Sequence, residues 1–566
     1  MKKIKFPSRF IYSFLAAVTI SSCSLHNFKS DFYSDAIADP LMKYAWHISN
    51  VGQSVFAAAA GTAGYDLNLF QTWNAHIYGN GVLVQISDDG LEDTHEDLTA
   101  NFSYLNVSKN YSLPSPYLST TSRPIATTDD HGTGVAGLIA AVGWNKIGSR
   151  GVAPKAHLSI ANFVSDSVTQ TTAMLLDQAS GNFDISNMSW GTDQNAIQVL
   201  NTTYNAQLRS LVTSQRGGKG TIFVKAAGND FAINCNGSTT VKCVGNANFD
   251  PHNAIPYLIP VSAMNAEGIS SSYSSPGSAI WISSFGGEFG DDFPALMTTD
   301  LMGCSAGRSV STAASAFENG SSPENKSCNY SSVFNGTSAA TPTVSGVVAL
   351  MLEANPALTW RDVKYILAKT ATVDHYATGA ITHPKQGVTM PTGYIWEQKW
   401  VTNAAAFKFH NWYGFGHVNT DAAISMAKTM VQFPSSLGTF TETNWVHSHT
   451  GLALPIPDNL AAGVTNSFSV SNDLTVEAVQ IRVDITHADI SELALELTSP
   501  SGTKSILVNA QNSLTGIANY TSETFLTNAF YQESSVGTWT LRVVDSKVGV
   551  TGTLTAFKLN IFGGAH

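Results

Sequence analysis

Four short stretches of the sequence hold residue types that could together perform nucleophilic chemistry. Ser87-Asp88-Asp89-Gly90 puts a carboxylate at the end of an apolar run, with His95-Glu96-Asp97-Leu98 just downstream. His131-Gly132-Thr133-Gly134-Val135-Ala136-Gly137 sets an imidazole at the head of a small-residue helix pattern. Gly336-Thr337-Ser338-Ala339-Ala340-Thr341-Pro342 does the same for a hydroxyl, and Ala226-Ala227-Gly228-Asn229 places an amide after a second apolar run. A serine becomes a working nucleophile when an imidazole takes its proton and a carboxylate fixes the imidazole tautomer. On that chemistry Ser338 is the nucleophile, His131 the general base and then acid, and Asp88 the orienting carboxylate. Each alone has a plainer reading: a turn aspartate, a capping histidine, an N-cap serine. Their joint occurrence in the order Asp, His, Ser, each at an element end, is what the plain readings do not supply. Glycines beside His131 and Ser338 let backbone and substrate approach closely. Ser338 at a helix start offers its own N–H to a developing oxyanion, and Asn229 supplies a side-chain donor.

These residues need a scaffold, and the hydrophobic pattern describes one. From Asp39 to about Lys428 short β-branched runs alternate with helical patterns, as in βαβ units around a mostly parallel sheet. Gly81–Ser87 and Thr221–Ala226 read as buried strands, and His131–Val142 and Thr337–Glu353 as apolar helices. After Thr429 the helical period disappears. Alternating runs such as Glu477–Ile485, Ala494–Leu497 and Trp539–Val544 are separated by turn residues, the pattern of an all-β jelly roll. The boundary falls near 428–454, giving a catalytic-type α/β domain over 39–428 and a β-domain over 440–566.

Composition narrows the function class. The 566 residues carry 30 Lys and Arg against 41 Asp and Glu, a formal charge of −11, and only 13% are charged. No excess of cations is present to neutralise phosphates, so nucleic acid is not an expected partner. The 43% apolar content is enough to build a core. Lys2, Lys3, Lys5 and Arg9 precede the eleven-residue run Phe10–Ile20. That is too short for a bilayer, and it predicts a signal peptide over 1–23. Ile20-Ser21-Ser22-Cys23 resembles a bacterial lipobox, so a lipid on Cys23 is the one expected route to a membrane. The chain is therefore expected to be exported, as an outer-membrane lipoprotein or a secreted protein. Of the five cysteines, four remain after Cys23, and three pairings are open to them. Cys235–Cys243 and Cys304–Cys328 are favoured because each closes a local loop. No Cys-x-x-Cys supports a metal site instead.

With these motifs in place the sequence resembles the subtilisin-like serine proteases, and in finer detail their kexin/furin (proprotein convertase) branch. Asp39-Pro40 with Ala45-Trp46, Ser189-Trp190-Gly191, Leu352-Glu353-Ala354-Asn355 with Leu358-Thr359-Trp360-Arg361-Asp362, and Tyr413-Gly414-Phe415-Gly416 carry that likeness. Ile456-Pro457-Asp458, His487, Leu497–Thr503, Gly537–Leu541 and Asp545 resemble the branch's P-domain. The resemblance implies an endopeptidase acting on protein or peptide substrates through an acyl-enzyme. It also implies Ca²⁺ held by Asp39, Asp97 and Asn145 with carbonyls of Val142 and Ile147. An oxygen set of this kind suits that ion. About sixteen residues separate Cys23 from Asp39, too few for the family's folding prodomain. The expectation is help in trans from a chaperone or inhibitor, or unaided folding on calcium. Where the branch places acids for basic substrates, this sequence has Gln194 after Asp193, Val244, Thr172 and Leu200, with Asp89 retained. Strict dibasic specificity is therefore not expected, unless Asp230 or Asp250 moves into the pocket. The competing reading is a non-catalytic envelope binding protein. An esterase would want the G-x-S-x-G elbow and a different residue order.

Overall fold

Eight strands form the central sheet of the first domain in a computed structural model that describes residues 39–104, 107–234, 242–373, 389–430 and 437–565. Their order is Ile282–Phe285, Leu258–Met264, Ile222–Ala226, Ile185–Met188, Leu83–Ser87, His157–Ala161, Ser108–Lys109 and Leu118–Ser119. Neighbours run parallel up to Ser108–Lys109, and the last pair is antiparallel. Helices cover a parallel sheet on both faces, so its strands need apolar side chains on both sides. Ile222–Ala226 and Leu258–Met264 are buried at every position, and Leu83–Ser87 at all but its first. The first strand starts at Leu83 rather than Gly81, because Gly81 turns the chain at φ +73°.

Two helices carry the candidate chemistry, His131–Ala140 and Thr337–Ala354. Both are almost wholly buried, which is why their sequences are apolar all round instead of striped. The first ends two residues earlier than expected. Ala141 leaves the helix at ψ 138°, and Val142 N–H bonds Asp97 O (2.8 Å). Asp88, Ser189 and Asn229 each directly or almost directly follow a strand, so the sheet presents all three at its carboxyl edge.

The second domain packs two antiparallel sheets face to face. One holds Thr439–Glu442, His447–Ile456, Leu474–Thr486, Tyr520–Thr527 and Gly552–Ala565, and the other Val464–Val470, Leu493–Thr498, Lys504–Val508 and Gly537–Asp545. Val479, Ile481 and Val483 share a core with Leu495, Leu497, Trp539 and Leu541. Leu474–Thr486 buries its other face too: Ala478 and Gln480 are covered, and Gln480 Nε2 donates to Ala254 O (2.6 Å) across the domain boundary. Phe249 of the first domain enters the P-domain core, and Ala529 and Tyr531 of the second enter the main core.

Cys304 and Cys328 form a disulfide. The signal segment, Cys23 and Cys235 lie outside the described residues, and so does the expected Cys235–Cys243 pair. No helix among the described residues is long and apolar enough to cross a membrane.

Candidate active site

His131 Nδ1 lies 2.8 Å from Asp88 Oδ1, and Asp88 is fully buried. Asp89 N–H donates to the same oxygen (2.9 Å). Burial alone would lower the His131 pKa, but the charge and hydrogen bond of Asp88 lead the influences that outweigh it and leave the imidazole above its ordinary value of 6.5. Gly132 makes the close fit possible. A Cβ there would meet Gly90 O at 2.1 Å and Asp88 Cβ at 3.0 Å, so the helix could not reach the aspartate loop with any larger residue. Asp89, read from the sequence as a surviving substrate-facing acid, has another task. Its two oxygens accept from His131 N–H (3.0 Å) and Gly132 N–H (2.7 Å), fastening the start of the helix. A carboxylate at that end is also favoured by the helix dipole. Burial, with the nearby Asp88 charge, pushes the Asp89 carboxyl up to about 8.

Ser338 sits in the first turn of its helix. Pro342, four residues on, has no N–H to give the Ser338 carbonyl, and Ser189 Oγ donates to that carbonyl instead (2.9 Å). Ser338 Oγ returns the favour, donating to Ser189 O (3.0 Å). The serine hydroxyl thus rests on Ser189 and not on His131, whose ring packs against Phe334 (5.3 Å), four residues before Ser338. Catalytic hydrogen bonds of this kind commonly tighten only with substrate in place.

Asn229 is oriented with little freedom. Its Oδ1 accepts from Thr337 N–H (2.8 Å) and Thr337 Oγ1 (2.9 Å), and no described residue accepts from its Nδ2. Gly336, at φ +103°, leaves the space in front of that amide open. A Cβ on Gly336 would stand 3.3 Å from Asn229 Nδ2 and 3.4 Å from Ser338 N. Two N–H donors therefore face one small space beside the serine, the arrangement an oxyanion requires. Thr337 as the holder of Asn229 was not foreseen, since a threonine at a helix start signals only a cap.

Of the residues read as pocket walls, Gln194 lies against Gly228, next to Asn229. Gln194 is buried, and its Nε2 donates to Ala227 O (2.8 Å). Gly228 has no Cβ, and one there would strike Gln194 Nε2 at 2.0 Å. Val244 is buried as well. Asp250 is consumed: its Oδ2 meets Lys225 Nζ (2.6 Å) and its Oδ1 the His252 ring (3.0 Å). Burial would raise its carboxyl, but Lys225 and His252 hold it far below the usual carboxylate range. Lys225, fully buried within an apolar strand, was the available signal for this pair, since such a cation needs a buried partner. Burial raises the Asp230 carboxyl, against a hydrogen bond from the Gln194 backbone. Thr172 begins a short helix and Leu200 lies at the margin of the main core.

Asp39, Asp97 and Asn145 also come together. Asn145 Nδ2 donates to Asp97 Oδ1 (2.7 Å), and Asp39 accepts from the N–H groups of Trp144 and Lys146 (2.8 Å each) and from Arg150 Nε (2.5 Å). Burial pushes the Asp97 carboxyl up to about 8, and the charge of Asp39 adds to the effect. Two carboxylates with the carbonyls of Val142 and Ile147 would offer hard oxygens, while Asn145 turns its N–H₂ to Asp97 and its Oδ1 accepts from Ile147 N–H (3.0 Å). Gly148 closes on this set so tightly that a Cβ would lie 2.1 Å from Asp97 Oδ2. The donor chemistry fits calcium, with Arg150 already balancing part of the charge. His487, Glu492 and Asp545 of the P-domain form another cluster of metal-capable groups among the described residues. There His487 Nδ1 accepts from Asp489 N–H (3.1 Å), Nε2 faces Asp545 (3.3 Å), and Glu492 pairs with Lys547 through Oε1, while its buried Oε2 has no partner among the described residues.

Residues 79–416 match the Subtilase family and residues 476–561 the proprotein convertase P-domain. The chain is 36% identical to the Aeromonas extracellular serine protease of Aeromonas sobria, over 90% of this chain and 84% of that protein. It is 28% identical to kexin of Saccharomyces cerevisiae, over 93% of this chain and 57% of that one. The crystal structure of the serine protease of Aeromonas sobria superposes with a TM-score of 0.83 at 33% identity, covering 93% and 96% of the two chains. A second crystal structure, of that protease with the chaperone ORF2, gives the same TM-score at 32% identity, over 94% and 96%. By motif, fold and relatives alike, this chain belongs to the subtilase family, as a subtilisin-like serine protease with a C-terminal P-domain.

Proposed function

We propose that the chain hydrolyses peptide bonds through an acyl-enzyme on Ser338, with His131 moving the proton, Asp88 holding the imidazole, and Asn229 Nδ2 with Ser338 N–H binding the oxyanion. The observation that carries this reading is the amide of Asn229, locked by Thr337 so that its N–H₂ faces the space beside Ser338. On substrate entry the hydroxyl leaves Ser189 O for His131 Nε2, attacks the carbonyl, and the imidazolium then protonates the leaving amine. Fluorophosphonate labelling tests it. An adduct on Ser338, lost in His131→Ala, is expected, and an unlabelled folded protein would return the molecule to the non-catalytic reading.

Four finer properties follow. Asp39, Asp97, Asn145 and the carbonyls of Val142 and Ile147 would hold Ca²⁺, which fastens the first turn of the domain to the loop after the His131 helix. Neutral Gln194 and apolar Val244, with Asp250 committed to Lys225 and burial favouring the neutral form of Asp230 beside Gln194, leave a guanidinium without paired carboxylates, so dibasic motifs are not required. Parallel assays on an Arg-Arg peptide and a Phe- or Leu-ending peptide check this. A hundredfold preference for the basic one, about 2.7 kcal/mol, overturns it. Export is supported by the extracellular relative, and a trans-acting chaperone by the complex of the similar Aeromonas sobria protease.

A further inference from the structure

The two walls of the primary pocket are separate segments of the catalytic domain, and both are tied to one residue of the P-domain. Ser513 Oγ donates to Gln194 O, and Ser513 N–H donates to Val244 O at 3.1 Å. The anchoring continues along each wall. Ile197 packs against the P-domain core and Phe249 belongs to it. Asn246 Nδ2 donates to Leu507 O (3.2 Å), while Asn248 exchanges bonds with Leu526, accepting its N–H (2.8 Å) and donating to its carbonyl (3.1 Å). Ser513 is itself held firmly. Asn512 N–H bonds Ser491 O (3.1 Å), Asn512 Oδ1 accepts from Leu514 N–H (3.0 Å), and Leu514 is buried in the jelly-roll core.

We propose that Ser513 is a positioning residue for substrate selection, fixing the separation of the Gln194 and Val244 walls and so deciding which side chain before the cut is accepted. The proposal rests on reading Gln194 and Val244 as walls of that pocket. Residues 191–201 form a loop with no ladder of its own, so its position depends on side-chain and interdomain bonds. A wall set from the second domain is felt where the substrate side chain enters. The serine hydroxyl is held by Ser189 and the Asn229 amide by Thr337, neither of which Ser513 touches. Loss of the Ser513 hydroxyl should therefore appear in KM and in the ranking of substrates more than in kcat.

The test uses the full chain with Ser513→Ala and Ser513→Thr, each active-site-titrated with a fluorophosphonate so that rates refer to folded, competent molecules. A peptide panel varies only the residue before the cut. Ser513→Ala should change the kcat/KM ratio between Phe and Ala peptides by about fivefold or more, mainly through KM, with kcat within about twofold. Ser513→Thr, which keeps the hydroxyl, should restore the parent ranking. An equal change for every peptide, or none, overturns the proposal. Gln194→Ala in the same panel separates the two levels of the argument. A shifted ranking there with none in Ser513→Ala removes the role of Ser513 and leaves the pocket standing, while no shift in either removes both.

Discussion

At the scale of single residues, the chemistry depends on which atoms are already committed to partners. Asn229 Oδ1 is committed to Thr337, so replacing Asn229 by Ala removes a donor whose only evident target is the developing oxyanion. The expected outcome is a fall in kcat of about 10²–10³ with KM nearly unchanged, a range taken from the same donor in subtilisin, a member of this family. A rise in KM alone would instead make Asn229 a ground-state binding group. His131 gives a pH prediction. Its base function needs the neutral ring, and Asp88, by its charge and its hydrogen bond, leads in overcoming burial to raise the pKa above 6.5. As pH falls through that raised value the ring is protonated and cannot take the serine proton. The acid limb of kcat/KM should therefore have its midpoint above 6.5, and a pH–rate profile with a lower midpoint contradicts the assigned electrostatics. The identities of Asp88, His131, Ser338 and Asn229 were legible because each stands in a motif at an element end. The resting bond of Ser338 to Ser189 was not, because it follows from the missing N–H of Pro342 meeting a hydroxyl brought in by another strand.

At the scale of elements, the sequence located strands and helices to within two residues or so wherever a run was apolar throughout, as in Thr221–Ala226 and Thr337–Glu353. It could not show what fastens one element to the next. Glu353 illustrates the difference. From the last turn of the Ser338 helix, its Oε2 accepts from the backbone N–H groups of Tyr78 (2.6 Å), Gly79 (2.5 Å) and Asn80 (3.1 Å), and its Oε1 from Asn80 Nδ2 (2.7 Å). The carboxylate thus pins the chain entering the Leu83–Ser87 strand, whose far end carries Asp88. Glu353→Ala leaves two partly buried donors, at Tyr78 and Gly79, and an exposed one at Asn80 to find water or remain unpaired, at roughly 1–3 kcal/mol each where water cannot reach. A loss of about 3 kcal/mol in denaturant unfolding is expected, with Glu353→Gln retaining part of it. Equal midpoints for parent and Ala variant would show that solvent replaces the carboxylate. In the sequence Glu353 was only part of a family-like string, and nothing in its neighbourhood names residues 78–80 as partners.

At the scale of the whole molecule, two features are expected to hold the catalytic domain in its active form. The first is calcium at Asp39, Asp97 and Asn145. An ion that binds only the folded state stabilises it by mass action, so chelation should lower the Tm and Asp97→Ala should abolish the response to chelator. A melting curve indifferent to chelator removes the ion from the account. The second is the P-domain. Much of its interface with the catalytic domain is polar. Arg361 forms a bidentate pair with Glu477 and donates to Leu437 O and Gly438 O. Asn403, Asn528 and Asn509 bond backbone carbonyls across the boundary. Asparagines read as turn residues in a sequence, and carbonyls carry no sequence signal, so this network could not be seen in advance. Apolar contact sits among these bonds: Tyr531 stacks edge-on to Trp281 (5.0 Å) and Phe407 (5.2 Å). A chain ending at Lys428 would expose Phe249 and Trp281, leave Arg361 without Glu477, and strip the pocket walls of Ser513. Each broken buried polar contact adds a desolvated group to the loss of apolar burial. Such a chain should fail to reach a soluble folded state. Tyr531→Ala, a milder cut at the same interface, should cost about 3–5 kcal/mol, the range for deleting a large buried ring. Both are read by melting and by active-site titration. A truncated chain that titrates fully and melts with the parent would show the catalytic domain to be self-sufficient and the P-domain a passenger.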